Sequence, residues 1–241
     1  MKLFKATDYQ DLSRKAADLL AAQVLLKPDC VLGLATGSTP IGAYQELVRK
    51  YEAGALDFSQ VTTFNLDEYR GLTPSDPQSY AYFMHHNLFD HVNLRPGSTH
   101  LPDGLNPDPA AESARYEAAI RAAGGVDLQL LGMGHNGHIG FNEPCGEFPL
   151  DTHSVDLAES TIRANTRFFD SSDQVPRQAY TMGIGTILRA RRILIVVSGA
   201  DKAEILKQAF YGPVTPQVPA SVLQLHPDVT LVADTDALSA L

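Results

Sequence analysis

Two cysteines are all the sequence contains, Cys30 and Cys145, and their spacing suits no metal site. A disulfide framework is therefore excluded, and a reducing cytoplasm is the expected setting. No apolar run is long enough to span a bilayer; the longest branched stretch is Ile193 to Val197. The opening residues, Met1 to Asp8, lack the apolar core of a signal peptide. Positive charge is scarce as well, with 19 Lys and Arg against 28 Asp and Glu, a net charge of −9. That balance argues against general nucleic-acid binding and against a polybasic membrane-surface module. The turn Thr36 to Thr39 that leads into a helix at Pro40 has neither a Walker A ending nor the GxGxxG pattern, so a P-loop protein and a nicotinamide dehydrogenase both lose their main support. No repeat, low-complexity tract or linker divides the chain, and one domain over residues 1–241 is expected.

What is present is alternation. Leu12, Ala16, Leu19, Leu20 and Val24 recur at helical spacing. Helices are also expected from Pro40, near residues 80–91, over 109–123 and over 201–211. Short apolar runs predict strands at 29–35, 61–65, 126–133, 191–197 and 229–233. Residues 140–176 read as irregular. Strands alternating with helices predict an α/β fold, a three-layer sandwich whose mostly parallel sheet carries helices on both faces in a modified Rossmann-like arrangement.

In such sheets ligands bind beyond the carboxyl ends of the strands. Polar segments follow four predicted strands. Thr36, Gly37, Ser38 and Thr39 enter a helix at Pro40, where free N–H groups suit a phosphate; a plain helix cap explains the same residues. Asp67 and Glu68 stand at a strand end, and adjacent strand residues point to opposite faces, so one of them enters a cleft there. Such a carboxylate could take a proton from carbon, or could be a cap or surface group. Four glycines surround His135, Asn136 and His138, with Glu143 five residues after His138. A turn bringing His138 to Glu143 makes a proton-transfer pair. A metal site of His135, His138 and Glu143 is the alternative, and it fits no HExxH pattern. Arg167 and Lys202 could hold a phosphate dianion or be solvated surface groups.

Four segments carry a family likeness: TFNLDEYRGL (63–72), GxGxNGHIGFNEP (132–144), ANTRFFD (164–170) and LQLHP (223–227). Together they resemble the glucosamine-6-phosphate deaminases, also called glucosamine-6-phosphate isomerases, almost end to end. The resemblance implies sugar ring opening, aldose–ketose isomerisation and loss of ammonia, with no metal and no organic cofactor. By position it implies Asp67 as the base for the C2 proton. His138 would move the proton in ring opening, with Asn136 and Glu143 holding it. Thr36, Gly37, Ser38, Thr39, Arg167 and Lys202 match the phosphate-binding positions, and residues 150–175 match a mobile lid. The implied partner is a small-molecule sugar phosphate, with no nucleic acid and no membrane.

Two departures shape the expectation. Some members carry Asp where Asn136 stands, and Asn cannot pair ionically with an imidazole, which leaves that part to Glu143. Activated hexameric members have basic residues shortly after the NEP motif; residues 145–155 hold no Lys or Arg. A short, non-allosteric monomer is the expected form. The 6-phosphogluconolactonases share the fold and a similar glycine turn, but carry DER rather than DEY and lack FNEP. A sugar-phosphate sensor of a transcription regulator would need a DNA-binding helix pair, which residues 1–30 do not supply.

Overall fold

A parallel strand covered on both faces must be apolar along its whole length. The computed structural model describes residues 1–159, 162, 163, 166, 169, 171 and 174–241. In chain order it runs β1 (Lys2–Ala6), α1 (Tyr9–Leu26), β2 (Val31–Leu34), α2 (Ile41–Glu52), β3 (Thr62–Asn65), β4 (Asp67–Tyr69), α3 (Tyr80–Asn87), β5 (Thr99–His100), α4 (Pro109–Ala122) and β6 (Leu128–Leu131). Then follow β7 (His153–Asp156), β8 (Gln178–Thr181), α5 (Ile184–Leu188), β9 (Ile193–Val197), α6 (Ala203–Tyr211) and β10 (Val229–Asp234). Every residue of β2, β6 and β9 is buried, as two-sided cover requires.

Seven strands form one parallel sheet in the order β1-β10-β9-β6-β2-β3-β5. One large apolar cluster joins this sheet to its helices; Leu20 of α1, Leu47 of α2 and Tyr116 of α4 are fully buried within it. From β2 the chain steps outward through β3 to β5, then returns to place β6 on the other side of β2. The strand order therefore reverses between β2 and β6, and the loops after these two strands diverge. That reversal opens the crevice where α/β sheets bind ligands. The main sheet matches the parallel α/β arrangement expected from the alternation.

The second sheet was not expected. Strands β4, β8 and β7 form a separate antiparallel sheet, with Asp67 opposite Thr181 and His153 opposite Thr181 on the other side. Asp67 therefore does not trail off β3 as a loop residue; it opens a new strand one residue later. Residues 140–176 are correspondingly not wholly irregular, since β7 lies among them. Beneath the small sheet sits its own apolar cluster of Tyr69, Phe141, Leu157, Ile162, Val175 and Ala179. Of the segment expected as a lid, residues 153–156 form β7, while several positions between 160 and 173, Arg167 included, lie outside the described residues.

Candidate active site

The reversal of strand order is occupied by a cleft of about 240 Å³. Its walls are the turn at 36–40, Asp67, Tyr80, the loop 132–141 and Lys202. Sequence segments that follow four different strands thus meet at one sheet edge.

The turn after β2 faces the cleft with Thr36, Gly37, Ser38 and Thr39. Gly37 has φ +97, a backbone that a side chain would strain. The plain-cap alternative for these hydroxyls fails: the cap position of α2 is Pro40, with no side-chain cap hydrogen bond. By contrast Asp8 caps α1 and Asp108 caps α4. The first turn of α2 also lacks an acidic residue, unlike those of α1 and α4. Its positive end is left open to an anion. Two tyrosines brace the turn. The buried Tyr44 hydroxyl donates to the Ala35 carbonyl at 2.5 Å and accepts from its N–H. The Tyr9 hydroxyl donates to the Ser38 carbonyl at 3.0 Å and accepts from Gly42 N–H at 2.9 Å. Lys202 reaches the same cleft from the short 3₁₀ turn after β9.

Asp67 and Glu68 separate as strand geometry demands. Asp67 faces the cleft and is only 5% exposed. Burial, and then the neighbouring Glu68 charge, hold its pKa well above the ordinary carboxylate range. Glu68 turns away, and its two oxygens accept the N–H groups of Tyr69, Tyr80 and Ala81 at 2.8 to 2.9 Å. Burial still wins over these three donors and pushes its pKa up to about 7.

The loop after β6 is ordered by a chain of hydrogen bonds. Asn136 Nδ2 donates to Glu143 Oε2 at 2.6 Å. Its Oδ1 therefore points the other way, 2.7 Å from His138 Nδ1. An amide oxygen only accepts, so Nδ1 carries a proton, and in the neutral imidazole the lone pair is on Nε2. Glu143 thus fixes the amide, and the amide fixes the tautomer. Glu143 Oε2 also lies 3.6 Å from His138 Nδ1, so the pair expected from the five-residue spacing forms with Asn136 wedged beside it. The ring lies on bare backbone: a Cβ on Gly134 would come within 2.1 Å of it. Gly140, at φ +58, lets the chain pass between Thr181 and Asp67.

The metal alternative is not assembled. His135 pairs instead with Asp201, Nε2 to Oδ2 at 2.6 Å, and among the described residues no three His, Cys, Asp or Glu side chains gather. Sequence reasoning missed Tyr80. It stands in α3, a helix whose link to the site is made only in space, against Tyr69 and Phe141 with ring centroids 4.9 and 5.9 Å away. Burial raises its hydroxyl pKa, and Asp67, Thr36 and Tyr69 surround that hydroxyl.

Residues 6–232 match the family described as glucosamine-6-phosphate isomerases/6-phosphogluconolactonase, and the chain belongs to that family. It is 57% identical to a glucosamine-6-phosphate deaminase of Halothermothrix orenii, with all of both chains covered. Against the deaminase of Clostridioides difficile it is 53% identical, over all of this chain and 97% of that one. A solved structure of a glucosamine-6-phosphate deaminase described as monomeric superimposes with a TM-score of 0.97, at 46% identity and full coverage of both. The 6-phosphogluconolactonase of Thermotoga maritima shares the fold, with a TM-score of 0.76 at 20% identity, 97% of this chain and 99% of that one being covered.

Proposed function

We propose that this chain converts glucosamine 6-phosphate and water into fructose 6-phosphate and ammonia. One observation carries the reading: a buried carboxylate, a tautomer-fixed imidazole and an uncapped helix N-terminus surround a single cleft. The substrate supplies its own activation, because the opened aldehyde makes the C2 proton acidic. The protein needs only a phosphate anchor, a ring-opening group and a base.

The turn 36–39 and Lys202 hold the phosphate; Arg167 takes part by its family position. His138 Nε2 accepts the C1 hydroxyl proton and returns a proton to the ring oxygen as the ring opens. Asp67 then takes the proton from C2 and the resulting enol-amine is protonated at C1. Water adds to the ketose imine at C2, and ammonia leaves. A base of raised pKa in a dry site suits the second step, since proton affinity grows as solvation of the anion falls. By family position the segment 150–175, part of which lies outside the described residues, is the one assigned to keeping water from the intermediate until hydrolysis. The working form is a monomer without allosteric activation, and the two unpaired thiols, Cys30 and Cys145, fit a reducing cytoplasm.

The test is release of ammonia and fructose 6-phosphate from glucosamine 6-phosphate with EDTA present. Stoichiometric release is expected. Hydrolysis of 6-phosphogluconolactone in its place would overturn the reading.

A further inference from the structure

Glu68 makes more contacts than a helix cap requires. Helix α3 already has a cap: Ser79 Oγ accepts Tyr82 N–H at 3.0 Å. Glu68 fills the two preceding donors, Tyr80 N–H and Ala81 N–H, from a strand twelve residues earlier. The same carboxylate accepts Tyr69 N–H and is 3% exposed. It therefore locks β4 to the first turn of α3, the turn that carries Tyr80 into the cleft. Tyr80 in turn packs face to face with Phe141, at an interplanar angle of 9°. Asp67 and Glu68 are joined by one peptide bond, so the clamp and the base share a rigid element.

We propose that Glu68 is a positioning residue of the deamination: its carboxylate clamps α3 so that Tyr80 closes the cleft beside Asp67, and it stations a second negative charge behind the base. The proposal rests on the deaminase reading above. Both halves follow from placement. Three N–H donors fix the carboxylate where a water-exposed glutamate would swing free. The opposite-face geometry of adjacent strand residues puts its charge behind Asp67 rather than in the cleft. The groups around the pair leave this charge uncompensated. Asp76, on the loop before α3, acts in the same direction on Glu68. The Tyr80 hydroxyl on α3 shares the cleft with Asp67, while the hydroxyls of Tyr44 on α2 and Tyr116 on α4 donate to the Ala35 and Asn65 carbonyls, and burial holds all three neutral. His138 shares the cleft with Asp67.

Charge and reach separate in two variants. Glu68→Gln keeps the length and, through its one carbonyl oxygen, can still accept Tyr69 and Tyr80 N–H, but it removes the charge and the acceptor for Ala81 N–H. The acid limb of its kcat/KM profile is expected to move down by about one pH unit, because Asp67 no longer ionises against a neighbouring anion. Substrate groups are common to both profiles and cancel in the comparison. Glu68→Asp keeps the charge but falls one methylene short of α3. Its acid limb is expected to stay near that of the wild type while kcat drops by roughly tenfold, as misplacement within a preorganised site does. A merely structural glutamate would lower the yield or thermal stability of both variants and move neither profile. An acid limb of Glu68→Gln identical to that of the wild type overturns the role of the charge behind Asp67 and leaves the deaminase reading standing. Full kcat in Glu68→Asp overturns the clamp, and serves if Glu68→Gln does not fold. A wild type that releases no ammonia overturns the parent reading, and the clamp with it.

Discussion

Asp67 and His138 meet at one cleft from opposite surroundings. Asp67 stands on the small antiparallel sheet beside Tyr80, Tyr69 and Phe141, and its pKa is raised by burial with like charge behind it. His138 stands on a glycine-rich loop of the parallel sheet, with its ring nitrogen bonded to Asn136 and the amide bonded to Glu143. In the proposed mechanism one group reacts because its charged form is poorly solvated, the other because its lone pair has a fixed address. The two halves of the site should therefore fail differently. Removing the buried charge should cost activity and improve stability. Removing the relay should cost activity by disorder of a proton, with little gained anywhere.

Asp67→Asn is the sharpest way to break the comparison. Loss of a positioned base costs on the order of 10²- to 10⁴-fold in rate. Exchange of the C2 proton with solvent deuterium, followed by NMR, is expected to vanish, while substrate affinity stays within a few-fold. Stability is expected to move the other way. A carboxyl whose pKa is higher in the folded than in the unfolded chain binds more protons when folded. Its penalty is absent below the unfolded carboxylate pKa of about 4 and grows as pH rises toward the folded value. The variant should melt at a higher temperature than the wild type at neutral pH, with the gap closing toward about pH 4. Equal melting temperatures at neutral pH would place Asp67 in a better-solvated setting than the cleft provides.

Glu143→Gln probes the other half. A glutamine can present either its oxygen or its amide to Asn136, so the Asn136 orientation and the His138 tautomer are no longer dictated. A fall in kcat on the order of 10²-fold is expected, below the effect of losing a base outright but in the range of a lost general-acid contribution. Ring opening should slow while C2 exchange from a pre-opened substrate analogue persists. If both slow equally, the relay serves Asp67 as well, and the division between the halves disappears.

The two regions were also unequally legible in the sequence. Long apolar runs at β2, β6, β9 and β10 announced the buried parallel strands, because two-sided burial demands apolar residues throughout. The glycine-rich loop after β6 could be read because its chemistry is local: Asn136, His138 and Glu143 lie within eight residues. Strands β4, β7 and β8 gave no such signal: β4 is three residues long and opens on two carboxylates, and β7 and β8 are four residues long with exposed positions. The strand β1, with four of five residues exposed, was equally silent and forms because it completes the sheet beside β10. Tyr80 and Tyr9 were invisible for another reason. Their places are set by contacts across the fold, to Glu68 and Ser38, which no periodicity encodes.

The phosphate end of the cleft yields smaller effects. Lys202→Ala removes a cleft cation that, in the proposed mechanism, holds the substrate equally in ground and transition states. KM is expected to rise by about tenfold with kcat nearly unchanged, the pattern of lost uniform binding. Steady-state kinetics at constant ionic strength would show it, and a matched fall in kcat would move Lys202 from the anchor to the reacting centre.

Tyr9→Phe should have the mildest outcome and bears on how rigid the anchor is. The ring is retained; only the hydroxyl between the Ser38 carbonyl and Gly42 N–H is lost. Loss of one such partner costs about 1 kcal/mol of stability. Gly42 is in the first turn of α2, so its N–H becomes one more free donor at the end that faces the phosphate. Two consequences oppose each other: the turn loosens, while an additional N–H is released near the anion. Because Tyr44 still pins Ala35 from the buried side, loosening should be confined to residues 37–39. KM is then expected to rise no more than a few-fold with kcat intact. A fall in KM would mean that the freed donor outweighs the loosened turn, and that Tyr9 serves stability at the expense of phosphate affinity.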